Sequence, residues 1–178
     1  MHERDLLDWL SVAAVLAAAL GAGLHATRTP RRRPRFVLLA AMLGFLAVDD
    51  AVGVHERVTH ATAVVLGVGA HGDVLFLVPY LPLLAAAFFL LCTAARESPQ
   101  PASRTITLGL VLLATALGIR AIAALASLSG VTLAGWQRTA GTAALHETEL
   151  LAWIVVAVGL ALLPAIRNRA WSPPARLP

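Results

Sequence analysis

Phe36 to Arg57 reads FVLLAAMLGFLAVDDAVGVHER, an apolar stretch long enough to cross a bilayer that carries two adjacent carboxylates, Asp49 and Asp50. Roughly 20 apolar residues span a hydrocarbon core of ~30 Å. A charged side chain at the centre of that core costs at least ~2.5 kcal/mol on insertion scales, so an acid within it needs a compensating partner and commonly marks a site. Apolar Ala51, Val52 and Val54 continue the run beyond the acids, which favours placing them within the span. The bland alternative is a helix that stops early and leaves both acids in an aqueous loop.

Four further apolar stretches surround this one, giving five expected spans: about Leu6 to Leu24, Phe36 to Val54, Val74 to Ala95, Ile106 to Leu125 and Leu145 to Ile166. Composition agrees. The 178 residues are 58% hydrophobic and 13% charged, with a mean hydropathy of +0.77, whereas soluble domains are about 45 to 50% apolar and about 25% charged. The expected fold is all-α, a polytopic membrane helical bundle forming one domain over residues 1–166, with a disordered tail over 167–178.

The net charge of +4 rests on arginine alone, since the chain has no lysine. Ten arginines group together: Arg28, Arg31, Arg32, Arg33 and Arg35 after the first span, Arg96 and Arg104 after the third, and Arg167, Arg169 and Arg176 in the tail. Only Arg4, Arg57 and Arg138 fall on the other side. The positive-inside rule then gives five transmembrane helices, N-terminus outside and C-terminus cytoplasmic. The first span is not read as a signal peptide, because Glu3, Asp5 and Asp8 precede it where a basic segment is required. Arginines dispersed among loops do not form a nucleic-acid-binding face. Heavy use of Ala, Arg, Leu and Val fits a GC-rich bacterial genome and hence the bacterial plasma (inner) membrane.

The remaining polar groups gather at the expected extracytoplasmic end. They are His55, Glu56 and His60 after the second span, His71 and Asp73 before the third, and His146, Glu147 and Glu149 opening the fifth. Arg120 lies 14 residues past Ile106, near the depth of Asp49 and Asp50, so an Asp–Arg pair is the expected way for both charges to be held. On one continuous helix, Asp49, Gly53, Glu56 and His60 would form a single stripe. His146 and Glu149, at i and i+3, would share a face. Carboxylates and imidazoles of this kind are ligands for Zn, Fe or Mn. Asp49, Glu56, His60, His146 and Glu149 are therefore candidate metal ligands, Asp50 and Glu147 candidate general bases, and His55, Arg120, His71 and Asp73 further members of the polar site.

Each of these has a plainer explanation. Glu147 and Glu149 suit the N-terminal end of a helix dipole, GVGAHGD accounts for His71 and Asp73 as turn residues, and Arg120 can be a structural counter-ion. Neither HERVTH nor HETEL is the HExxH of a zinc protease. The three-histidine pattern of alkaline-ceramidase-type membrane hydrolases is not evident. Pro79 and Pro82 are expected to bend the third span. Gly21, Gly23, Gly44, Gly53, Gly109 and Gly118 permit close helix approach, within the chain or between copies in a homo-oligomer. Trp9, Trp136 and Trp171 read as interface anchors, and Trp153 as a packing or lipid-facing ring. Cys92 reads as a structural thiol, and His2 and His25 give no signal.

LAVDDAVGVHE, Leu46 to Glu56, resembles a signature of uncharacterised bacterial multi-pass membrane proteins: an apolar residue, Asp, a second acid, four mostly small or apolar residues, then His-Glu. The resemblance implies that Asp49, Asp50, His55 and Glu56 form that family's signature group. A second acidic cluster on a later helix is similar in character to HETELLAW, His146 to Trp153, although the leading histidine departs from it. The resemblance implies no particular activity. From the site itself, the leading expectation is a metal-dependent hydrolase or transferase acting on a lipid-like substrate. The alternatives are a proton- or cation-coupled transporter or channel, its path completed by oligomerisation, and an accessory or assembly protein with structural buried ions. Haem ligation by His55 and His146 is a weaker option.

Overall fold

A computed structural model describes residues 3–54, 57–58, 61, 64, 77–128 and 135–170. Five long helices account for most of them: α1 (Glu3–Arg28), α2 (Arg33–Val52), α3 (Leu77–Arg96), α4 (Gln100–Leu128) and α5 (Gly135–Ala170), with a single 3-10 turn at Pro30–Arg32 between the first two. Stretches Leu6–Arg28, Gln100–Ile122 and Ala144–Pro164 are long and apolar enough to cross a membrane, and Leu81–Arg96 is a shorter apolar helix. In α2 the uninterrupted apolar run is shorter than the helix, because Arg33 and Arg35 occupy one end and Asp49 and Asp50 the other.

α1 packs along α2 and α5, α5 along α4, and α3 closes the ring by touching α4 and, more lightly, α2. The faces turned inward repeat every three or four residues, as one side of a helix must. Leu39, Leu43 and Ala47 on α2, Ala102, Ile106 and Leu110 on α4, and Ala152, Val156 and Leu160 on α5 are buried. The outward faces are apolar too: Trp9, Leu20, Phe89 and Ile122 are each more than 60% exposed. A helix that is apolar all round belongs in a protein core or a lipid bilayer, and here the second applies to the outer surface.

Glycine sets the closest approaches. A Cβ at Gly109 of α4 would lie 3.0 Å from the Val156 backbone nitrogen, one at Gly159 of α5 would lie 3.0 Å from the Ile106 nitrogen, and one at Gly21 of α1 would lie 3.1 Å from the Leu160 Cβ. Of the glycines expected to allow close packing, Gly109 and Gly21 do so. Gly44 and Gly118 face open space and Gly23 makes only ordinary contact, at 3.9 Å from the Ala40 Cβ. Gly159, unremarked in the sequence, is as tightly held as Gly109.

Helix ends reach past the expected spans. α4 begins at Gln100 and α5 continues to Ala170, taking in Arg167 and Arg169, because a helix leaving the bilayer keeps its internal hydrogen bonds in water. Pro79 and Pro82 both fall in α3, Pro82 inside the helix.

Candidate functional site

α2 stops at Val52 because Gly53 adopts φ 64°, ψ 38°, the left-handed geometry that glycine reaches without steric cost, and its N–H donates to the Asp49 carbonyl. Helix resumes at Val54, Arg57, Val58, Ala61 and Val64. The continuous helix expected through this stretch is therefore interrupted at Gly53, while Glu56 and His60, the other members of the expected stripe, lie outside the described residues.

Asp49 and Asp50 occupy the last turn of α2. Asp49 points inward and is 5% exposed, whereas Asp50 faces outward. Arg120, near the same end of α4, meets α5 and not α2: its Nη2 donates to Glu149 Oε2 at 2.5 Å, with side chains 33% and 31% exposed. The partner of Arg120 is thus Glu149 where Asp49 was expected. The physical reason is lateral placement. Depth along a helix fixes the level of a charge but not which neighbour it faces, and α4 packs chiefly along α5.

This ion pair lines a partly open cavity of ≈ 60 Å³ between four helices. Its walls are Leu46 of α2, Leu84, Ala87, Phe88 and Leu91 of α3, Leu113, Ala116 and Leu117 of α4, and Trp153 of α5. A void needs about 10–15 Å³ by this measure to admit one water, and apolar voids stay dry and take apolar guests. Asp49 lies one turn beyond Leu46, a cavity-lining residue, on α2. His146 is half-buried one turn before Glu149 on α5, while Glu147 is exposed. Trp153 is 9% exposed, one turn below Glu149, and serves as a wall of the cavity.

The structure thus brings together Arg120 and Glu149, with Asp49 and His146 at the same end of the bundle. It turns Asp50 and Glu147, the candidate bases, to the outer surface. His55, Glu56, His60, His71 and Asp73 lie outside the described residues. Among the described residues, no three His, Cys, Asp or Glu side chains gather in a way that would hold a metal.

Sequence reasoning missed a second polar centre at the arginine-rich end. His25 is 9% exposed and stands edge-on to Phe36, with ring centroids 4.4 Å apart. Glu97 holds Arg32 and Arg35, each at 3.2 Å. Two signals were available: His25 follows Ala18 and Ala22 on the small-residue face of α1, and Glu97 is a lone acid beside an arginine cluster.

An all-helical bundle with apolar outer faces and an ion pair beside a partly open apolar cavity defines a helical membrane-protein class. The chain belongs to the family described as Domain of unknown function (DUF8692), whose model matches residues 6–163 and so takes in all five helices. No curated protein and no solved structure matches it.

Proposed function

We propose that this is a five-span protein of the bacterial plasma membrane, N-terminus outside and C-terminus cytoplasmic, that binds an amphiphile at its extracytoplasmic end. The apolar portion of the ligand enters the cavity between α2, α3, α4 and α5, and its polar head meets Arg120, Glu149 and Asp49. The observation that carries this reading is the cavity itself, lined mostly by apolar side chains and by one charged pair. Arginine recognises planar, two-oxygen acceptors such as carboxylate and phosphate. The apolar walls offer an ion no ligands, which favours amphiphile binding over conduction along this route. The five-span topology rests on the arginine distribution, and reporter fusions after Arg35, Arg138 and Arg169 test it: only the fusion at Arg138 should report the exterior.

Hydrolysis or group transfer on the bound amphiphile would draw on the signature group Asp49, Asp50, His55 and Glu56. Glu149 is already committed to a guanidinium, which makes it a poor metal ligand. A divalent metal would instead need Asp49 and His146 together with His55, Glu56 or His60, and its chemistry there would be activation of water. Metal analysis of the purified protein tests that arm; absence of stoichiometric Zn, Fe or Mn removes it and leaves amphiphile binding standing.

The binding reading is tested by fluorescence quenching with a lysolipid brominated near the end of its chain. Wild type should show saturable quenching that Trp153→Phe diminishes and Ala87→Leu/Ala116→Leu, which fills the cavity, abolishes. Unchanged saturable quenching in the filled variant would refute it.

A further inference from the structure

At the opposite end of the bundle lies a second, larger pocket of ≈ 700 Å³. Two connections, together with residues of α2 and α5, converge there. His25 and Thr29 come from the end of α1, Pro30, Arg31 and Arg32 from the 3-10 turn, Glu97, Ser98 and Pro99 from the link between α3 and α4, and Phe36 and Leu163 form its apolar floor. From the geometry and charge of this pocket, we infer that it is a binding site for the phosphate-bearing headgroup of an anionic lipid.

Charge is the first argument. Arg31 and Arg32 line the pocket, and the acid on its wall, Glu97, is shared between Arg32 and Arg35 at 3.2 Å each. Arg31 enters no ion pair among the described residues, and the local balance is strongly positive. Basic pockets between membrane helices on the cytoplasmic side suit anionic lipid headgroups.

Backbone dipoles supply the second. α2 and α4 both begin at this end, neither has an acid in its first turn, and α2 has no side-chain cap. Helix N-termini favour anions. Several carbonyls at this end are already engaged: the Thr29 hydroxyl donates to the His25 carbonyl at 2.8 Å, the Ser98 hydroxyl to the Ala94 carbonyl, Arg32 Nη1 to the Glu97 carbonyl at 3.3 Å, and Arg28 Nη1 to the Pro164 carbonyl of α5 at 3.3 Å.

The third is the mixed lining. A free phosphate has no use for Phe36, Leu163, Pro30 and Pro99, whereas a phospholipid sets its glycerol and first methylenes against such a wall while its phosphate meets arginine. The size and location fit a headgroup at the edge of the bilayer.

The test places the full-length protein in nanodiscs of phosphatidylcholine containing a minor fraction of phosphatidylglycerol and counts co-purifying lipid by native mass spectrometry. Wild type should enrich phosphatidylglycerol about tenfold over its bulk fraction. Arg31→Gln/Arg32→Gln should lose most of that enrichment, Arg31→Lys/Arg32→Lys should keep most of it, and Arg104→Gln, at the same end but off the pocket wall, should leave it unchanged. No enrichment in wild type, or full enrichment in the Gln variant, overturns the assignment. Displacement of the lipid by millimolar inorganic phosphate also overturns it and hands the site to the free anion. A photoactivatable phosphatidylglycerol on the wild-type protein supplies the check that needs no variant: adducts should map to residues 25–36 and 97–99, and adducts confined to other segments would refute the site.

Discussion

Removing one member of the Arg120–Glu149 pair should be far more damaging than removing both. Exposed ion pairs contribute about 0–1 kcal/mol, while breaking a fully buried pair costs about 3–5 kcal/mol because a lone charge remains. These side chains are about one-third exposed, which places Arg120→Met or Glu149→Met at about 2–3 kcal/mol of destabilisation, a roughly 30- to 140-fold change in the folded-to-unfolded ratio. The double variant Arg120→Met/Glu149→Met removes both charges and refills the space with apolar volume, so it should lie within about 1 kcal/mol of wild type. Reversible unfolding in bicelles, run as a double-mutant cycle, measures all four corners. Single variants within about 0.5 kcal/mol of wild type, or a double variant that loses the sum of the two, would refute the reasoning.

The glycine contacts give a second set of outcomes. Gly109→Ala and Gly159→Ala should each cost about 1–3 kcal/mol, because the added methyl meets backbone that cannot give way. Gly44→Ala, with open space around it, should stabilise by up to about 1 kcal/mol through helix propensity, and thermal unfolding in detergent compares the three. At Gly53, alanine should cost about 1 kcal/mol and asparagine less, since the left-handed geometry is required to end α2; the same unfolding assay reads the difference. Trp153→Ala should destabilise by about 3–5 kcal/mol as the cavity grows, and a short-chain alcohol or detergent should recover part of that loss in a concentration-dependent way.

The helices were legible in the sequence because an apolar run of bilayer length has few other uses. Ile106 to Leu125 sits inside observed α4, and Leu145 to Ile166 inside observed α5. What the runs could not show is which helix stands beside which. The level of Arg120 along its helix was readable, but its partner depended on α4 lying against α5, a fact carried by Gly109 and Gly159 meeting Val156 and Ile106 and not by any charge. Of the candidate site, Asp49 emerged buried and Arg120 and Glu149 half-buried, Asp50 and Glu147 turned outward, and His55, Glu56, His60, His71 and Asp73 lie outside the described residues. The arginine-rich end was read for topology only, and its pocket went unseen because it is assembled from two connections and a residue of α5 that are distant in the chain.

The glycine seams have a mechanical consequence. Where α4 and α5 approach at Gly109 and Gly159, and α1 meets α5 at Gly21, only one helix contributes side chains to the contact and backbone lies directly behind them, so that half of the ring is stiff. α3 has no such seam among the described residues and engages its neighbours more lightly. Any widening of the interior must be taken up on that compliant side. The chain's single cysteine, Cys92, sits half-buried on α3, so a native thiol already stands on the wall that yields.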